Sequence, residues 1–146
     1  MKTFIKLFNE LSLQELYAIL RLRNEVFVVE QNCVYQDTDN KDQKAWHIFI
    51  KENEEIIAYA RVFKPGDYFE KASIGRVVVE PKFRGQELGK KIMNDSINFI
   101  KKLGFDEIEI SAQTYLLKFY NELGFNRVGE EYLEDGLPHC KMIKKY

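Results

Sequence analysis

The stretch Val77-Val78-Val79-Glu80-Pro81-Lys82-Phe83-Arg84-Gly85-Gln86-Glu87-Leu88-Gly89-Lys90-Lys91-Ile92-Met93 joins a β-branched run, a basic turn with glycines and the start of an amphipathic segment. Residues of these types in this order can hold an anion. The amides that open a helix have no partner inside it and sit at the positive end of its dipole; Arg84 adds a charge and Gly85 permits close backbone approach. A strand, a basic turn and a helix also occur together without any ligand, so the pattern marks a candidate only. Two better-known phosphate motifs do not fit: there is no G-x-x-x-x-G-K-[ST], and no G-x-G-x-x-G with an acidic residue about twenty positions on.

Other reactive side chains are few. Cys33 and Cys140 are far apart and outside any C-x-x-C pattern, which predicts free thiols. His139 precedes Cys140, but consecutive strand residues face opposite sides, so the two could not act as base and nucleophile. With only His47 and His139 as nitrogen ligands, no metal site is expected. Asp37, Asp39 and Asp42 are close in sequence but lack the glycine and distal glutamate of a calcium loop, and are expected to solvate a surface loop.

The elements that must position these residues follow from periodicity. Thr3 to Leu7 reads as a strand, and Ser12 with Glu15 forms a capping box for a long helix. Leu13, Leu16, Tyr17, Leu20, Asn24, Phe27 and Val28 are its expected buried stripe, with Arg21, Arg23 and Glu25 off it. Trp46 to Ile50, Ile56 to Phe63 and Ala72 to Glu80 read as an antiparallel meander that feeds the anion loop. The next helix, from near Gln86, buries Leu88, Ile92, Met93, Ser96, Phe99, Ile100 and Leu103 and is capped by Gly104. Glu107 to Ser111 alternates as a strand, which a crossover of this kind makes parallel to its predecessor. Thr114 to Leu123 reads as a further helix, and Phe125 to Gly129 and His139 to Ile143 as the last strands. The result is a mixed α/β sheet with about four helices, in which a switch from antiparallel to parallel pairing splays two strands and opens a crevice.

Charged residues make up 31% and apolar ones 45% of 146 residues, a globular profile suited to one domain over 1–146. A formal net charge of -1 gives no overall attraction for nucleic acid or anionic membrane. No apolar run is long enough for a membrane span and the N-terminus lacks a signal-peptide core, which makes cytoplasm the expected location. The chain is expected to be a monomer or a homodimer, the latter paired through an exposed terminal strand ending Lys144-Lys145-Tyr146.

Arg84-Gly85-Gln86-Glu87-Leu88-Gly89 resembles the acyl-CoA loop of the GNAT acetyltransferases, in which Arg or Gln is followed by two residues, Gly, one residue, and Gly or Ala. Arg84 and Gly89 match; Glu87 replaces the middle glycine. Gln113 through Phe125, with Tyr120-Asn121-Glu122-Leu123-Gly124-Phe125, resembles the GNAT segment in which a helix ends Tyr, two residues, Leu-Gly-Phe. Leu20 to Gln31, Tyr35-Gln36-Asp37, Gly75 to Val79 and Glu134 to His139 extend the resemblance over nearly the whole chain, to the ElaA-like branch.

The resemblance implies a GNAT fold and N-acetyl transfer from acetyl-CoA, without metal, to a small-molecule or peptide amine. By the same resemblance the backbone of Val77, Val78 and Val79 would pair with the pantetheine arm. Amides from Arg84, Gly85, Gln86, Glu87, Leu88, Gly89 and Lys90 would hold the pyrophosphate. Gln113 would take the place of a cofactor-touching Asn, and Tyr120 would give a proton to the departing thiolate. Glu30, Glu80 and His139 are the candidate bases or acceptor-site residues, and Glu30, Asp37 and Asp39 would suit a cationic amine. Two other readings stand beside this one. Arg23, Phe27 and Trp46 resemble a pattern in acyl-homoserine lactone synthases, and a noncatalytic acyl-CoA-binding module would keep Arg84 and Gly89 without needing Tyr120.

Overall fold

The computed structural model describes Met1–Tyr146. Seven strands form one sheet in the order β1-β2-β3-β4-β5-β7-β6: β1 (Lys2–Leu7), β2 (Trp46–Glu52), β3 (Glu55–Phe63), β4 (Ala72–Val79), β5 (Glu107–Gln113), β6 (Asn126–Glu134) and β7 (Leu137–Lys145). Every neighbouring pair is antiparallel except β4 and β5. That parallel pair is the expected switch. Its register holds only Ala72 with Ile108 and Ser73 with Glu109, so the strands part beyond those residues.

A bulge helps β4 turn away. Tyr59 pairs with Val78 and Arg61 with Gly75, so two residues, Arg76 and Val77, oppose Ala60 alone. Arg76 takes up the extra length at φ 49°, a left-handed conformation that a non-glycine residue adopts under strain. The last two strands run longer than periodicity suggested, because Asp135 and Gly136 both have positive φ (51° and 76°) and close a two-residue hairpin. Most of β6 is solvent-exposed and polar, which hides it from a hydrophobic pattern. The terminal strand β7 lies between β5 and β6, so it has no free edge for pairing across a dimer; the free edges are β1 and β6.

Three α-helices cover the sheet: α1 (Leu13–Arg23), α2 (Leu88–Lys102) and α3 (Leu117–Glu122). Helix α2 starts two residues later than expected and buries Leu88, Ile92, Met93, Ser96, Ile97 and Ile100 against one face of the sheet. Helix α1 covers the other face with Ile19 and Leu22, joined by Val26, over Phe49, Ile56, Tyr59 and Val78. No helix is long and apolar enough to cross a membrane.

The stripe expected on α1 is corrected. Leu13 and Tyr17 are exposed (87% and 73%), while Glu15, Ile19, Leu22 and Arg23 are buried. Two of these four are charged, so a stripe traced through apolar residues alone settles on the wrong side. Beyond Arg23 the chain widens into a π-helical segment, Asn24–Glu30, with Gln31 N bonded to Val26 O and Cys33 N to Val28 O. Such segments recur at functional sites because they re-aim side chains.

The aspartate loop is corrected too. Asp37 and Asp42 are buried and Asp39 is half-buried. Arg23 Nε donates to Asp37 Oδ2 and its Nη1 to Asp42 Oδ1, each at 2.8 Å. Arg61 grips Asp39 through both Nη atoms at 2.8 Å and reaches Asp42 at 3.0 Å. Arg76, on the bulge, lies 2.9 Å from Asp37 Oδ1. His47 joins through Asp42 O at 2.9 Å and the Tyr59 hydroxyl at 2.6 Å, and burial holds its pKa below the ordinary value. Three arginines thus meet three aspartates, and the loop is an anchor rather than a solvated surface.

Arg23→Ala removes the guanidinium that Asp37 and Asp42 share, leaving Asp37 to Arg76 and Asp42 to Arg61, and is expected to lower stability by about 3 kcal/mol, read as a shift in the urea midpoint at unchanged slope. Glu15 supplies a pH-dependent term. Burial alone would raise its pKa, but hydrogen bonds from Lys51, the Ser12 amide and Lys6 bring it from 4.5 down to about 2. A carboxylate whose pKa is depressed on folding stabilises above its unfolded pKa and loses that effect as pH falls through the folded value. The stability gap between the wild-type protein and Glu15→Gln is therefore expected to be largest above pH 4.5 and to close towards pH 2 in denaturant titrations.

Candidate active site

Where β4 and β5 part, a cavity of about 500 Å³ opens. Its walls bring together Val77, Val78 and Val79, the loop residues Arg84 and Gly89, and Gln113, Tyr120, Glu30 and His139. A second hollow over the loop is lined by Arg84, Gly85, Glu87, Leu88, Gly89 and Lys90. Gln86 is exposed and outside both. Glu80 is also outside both: it is buried and accepts from Lys82 N at 2.6 Å, capping the turn at Pro81–Phe83.

The loop has the geometry of an anion cradle. The first backbone bond of α2 runs from Lys91 N to Glu87 O at 3.0 Å, which leaves the amides before it without helical partners. Glu87, where a glycine was anticipated, stands at φ 60° and ψ 25° as the N-cap, with no side-chain cap bond. The position therefore demands a left-handed backbone, the physical reason a glycine suits it. Gly89 is different. A methyl group there would meet Phe119 at 3.6 Å and Val79 at 3.9 Å, ordinary contact distances, whereas a longer side chain would enter the crevice.

Arg84 already holds an anion. Its Nη2 and Nη1 donate to Glu30 Oε1 at 2.6 Å and Oε2 at 2.8 Å. The bond from Arg84 holds the Glu30 carboxyl below its usual range, and the same bond raises the guanidinium's pKa. Two further contacts continue across the crevice mouth: Gln113 Nε2 reaches Gln31 Oε1 at 3.4 Å, and Cys33 Sγ donates to Asp135 O at 3.1 Å. The end of the π-helical segment thus ties the loop before α2, the end of β5 and the β6–β7 turn together.

Tyr120 is the one buried residue of α3, set edge-on to Phe119 and Phe125 with centroids 5.0 and 6.1 Å away. Burial, and then the nearby Tyr115 phenol, push its pKa above the ordinary value. It therefore stays a neutral O–H donor facing the cavity. On the opposite wall His139 Nδ1 is bonded to Leu137 O at 2.8 Å, and its Nε2 lies 3.4 Å from Glu134 Oε2. Glu134 and Ser111 are wall residues that sequence reasoning missed as a site; Glu134 was legible only as part of a turn.

The family model for "Acetyltransferase (GNAT) domain" matches residues 9–146. The chain belongs to the GNAT acetyltransferase family. Protein ElaA of Escherichia coli K12 is 42% identical over 140 residues, covering 94% of this chain and 92% of that protein. The crystal structure of Escherichia coli ElaA has a TM-score of 0.91 at 39% identity, and that of an acyl-CoA N-acyltransferase from Pseudomonas aeruginosa 0.92 at 37%, each covering 99% of both chains. PaiA N-acetyltransferase from Thermoplasma acidophilum, in complex with coenzyme A, shares the fold at TM-score 0.72 and 16% identity over the full length of both chains. As a GNAT, the protein is an acyltransferase of the ElaA-like branch that draws on acyl-CoA. The pattern shared with lactone synthases is divided: Phe27 lines the cavity, but Arg23 is engaged in the arginine network and Trp46 packs on Phe99.

Glu87→Gly removes a left-handed non-glycine residue and is expected to stabilise the fold by about 1 kcal/mol, raising Tm by about 2–4 °C in a thermal melt. Losing that carboxylate from the rim is also expected to tighten pyrophosphate binding at low salt, as read by calorimetry.

Proposed function

We propose that the protein is an acetyl-CoA-dependent N-acetyltransferase, acting as a single domain on the primary amine of a small molecule or peptide by direct attack in a ternary complex. The observation that carries this reading is the splay itself. Beyond Ser73 and Glu109 the facing edges of β4 and β5 are free, and the cavity between them runs from the anion loop to Tyr120 and on to His139. An extended pantetheine arm can add to the free edge at Val77, Val78 and Val79 as a short strand would. The amides from Arg84 to Lys90 suit a pyrophosphate, and Gln113 supplies an amide group at the end of β5. The bound form of PaiA with coenzyme A supports placing the donor in this fold.

Acetyl-CoA, when bound, supplies the reactive thioester carbonyl. The chain's own part is to exclude water, align an amine with that carbonyl and manage two protons. Tyr120 provides one of them: a buried neutral phenol can pass its proton to a departing thiolate. Among the candidate bases, Glu80 is committed to the Lys82 amide and Glu30 to Arg84, whereas His139 faces the cavity.

Arg84→Ala combined with Gly89→Glu is expected to abolish acetyl-CoA binding in calorimetry while the wild-type protein binds. Tyr120→Phe is expected to retain binding and to lower kcat by about a hundredfold or more. A wild-type protein that does not bind acetyl-CoA overturns the reading at its first step, and an unaffected kcat in Tyr120→Phe removes the tyrosine's role.

A further inference from the structure

The cavity that holds Tyr120 also carries two hydrogen-bond acceptors set side by side, on His139 and Glu134. His139 Nδ1 lies 2.8 Å from the carbonyl of Leu137, an acceptor with no hydrogen, so that nitrogen carries the proton. In the neutral ring Nε2 is then a bare lone pair. It stands 3.4 Å from Glu134 Oε2, which is also acceptor-only when ionised. Two facing acceptors repel, and either a proton on Nε2 or a cationic donor seated against both relieves that repulsion, so the pair is suited to take a proton from a cation.

The surroundings hold the pair in place. Ser111 Oγ donates to the other carboxylate oxygen, Oε1, at 3.0 Å, and Tyr132 hydroxyl bonds to Ser111 in turn, so a hydroxyl chain from β5 and β6 fixes the carboxylate. The Tyr132 ring lies nearly parallel to the imidazole, with centroids 6.3 Å apart and planes 24° apart. The His139 side chain is 8% exposed and that of Glu134 40%, so the pair is anchored at one end and open to the cavity at the other. Two of the acids expected to attract a cationic acceptor, Asp37 and Asp39, are neutralised by arginines, and Glu30 by Arg84. Glu134 has no such partner.

From this convergence we infer that Glu134 and His139 Nε2 form the seat of the acceptor's ammonium group, with His139 as the base that deprotonates it. The inference rests on the acyl-transfer reading above and specifies its acceptor class: a primary amine that arrives as a cation. The balance is complete. Nε2 takes one proton from the ammonium; the free amine forms the N–C bond to the acyl carbon as the C–S bond breaks. Tyr120 gives its proton to the sulfur, the acylated nitrogen sheds its second proton to the tyrosinate and so restores the phenol, and Nε2 releases its proton to solvent. Glu134 is a positioning residue, since its charge attracts and orients the ammonium. His139 faces Glu134 and Tyr132 from β6 and the neutral Ser111 and Gln113 from β5. The other charges lining the cavity are Asp135, the Glu30–Arg84 pair, and Arg61 and Arg76 of the buried network.

The test uses the full chain with acetyl-CoA and a fixed amine panel of tyramine, putrescine and L-lysine methyl ester. Thiol release is followed across pH, and the His139 ring nitrogens are observed by NMR as each amine is titrated. Acetyl-CoA binding by calorimetry is expected to match wild type in Glu134→Gln and His139→Gln, which separates failure of the seat from failure of the donor site. His139→Gln is expected to lose about a hundredfold or more in kcat/KM. Glu134→Gln is expected to raise KM for the amine several-fold with a smaller effect on kcat, because the cationic group loses its carboxylate. At least one amine is expected to shift the Nε2 resonance in wild type and none in Glu134→Gln. Acetyl-CoA binding with no Nε2 shift from any amine, an unchanged KM for the amine in Glu134→Gln, or near-normal kcat/KM in His139→Gln would each overturn the inference.

Discussion

Three arginines and three aspartates meet in a buried site between α1, the loop at 37–42 and strands β3 and β4, and the crevice takes its shape from that meeting. Arg76 is the link. It lies on the bulge that gives β4 one residue more than β3 at that point, and its guanidinium is anchored on Asp37. Buried ion pairs of this kind add little net stability over well-packed apolar residues, because desolvation offsets most of the attraction. What they do enforce is a unique arrangement, since displacing one member leaves another buried and unpaired. The left-handed backbone at Arg76 persists because the network around it over-determines its position.

The consequence lies one strand away. After two residue pairs β4 and β5 separate, and the backbone groups that a continuous sheet would consume face a cavity instead. One side of that cavity is built mostly from main chain: the free edge of β4 and the unpaired amides ahead of α2. Such groups recognise the backbone-like and phosphate parts of a ligand without any particular side chain, so Glu87 can stand at the loop position where the family has glycine. The other side is built from side chains on β5, β6 and β7, where a change of one residue alters what fits.

The charges around the crevice are arranged in pairs rather than as one field. Arg84 is held by Glu30, the arginine network neutralises its own aspartates, and the Glu134–His139 pair stands apart with its open side towards the cavity. With a net charge of -1 for the chain, these local pairings and not the overall charge decide where an anion or a cation can sit. The π-helical segment matters for the same reason. By widening after Arg23 it brings Glu30 and Gln31 over the mouth of the crevice, against Arg84 and Gln113.

Local chemistry alone determined much of this protein. β-branched and alternating runs located the strands, although only the start of the polar β6, Ser12 with Glu15 located the start of α1, Gly104 marked the end of α2, and the Arg84–Gly89 and Tyr120–Phe125 patterns marked the family. These are properties of neighbours in the chain, and periodicity reads neighbours well. Only the tertiary structure decided which face of α1 is buried, because Glu15 and Arg23 count as solvent-facing until their partners on distant segments are known. It also decided that the aspartates near 40 are anchors, that β7 runs inside the sheet rather than at its edge, and that Glu134, Ser111 and His139 converge. Each of these depends on pairing between residues far apart in sequence, and no local pattern of charge or hydrophobicity encodes which distant partner will neutralise a given side chain.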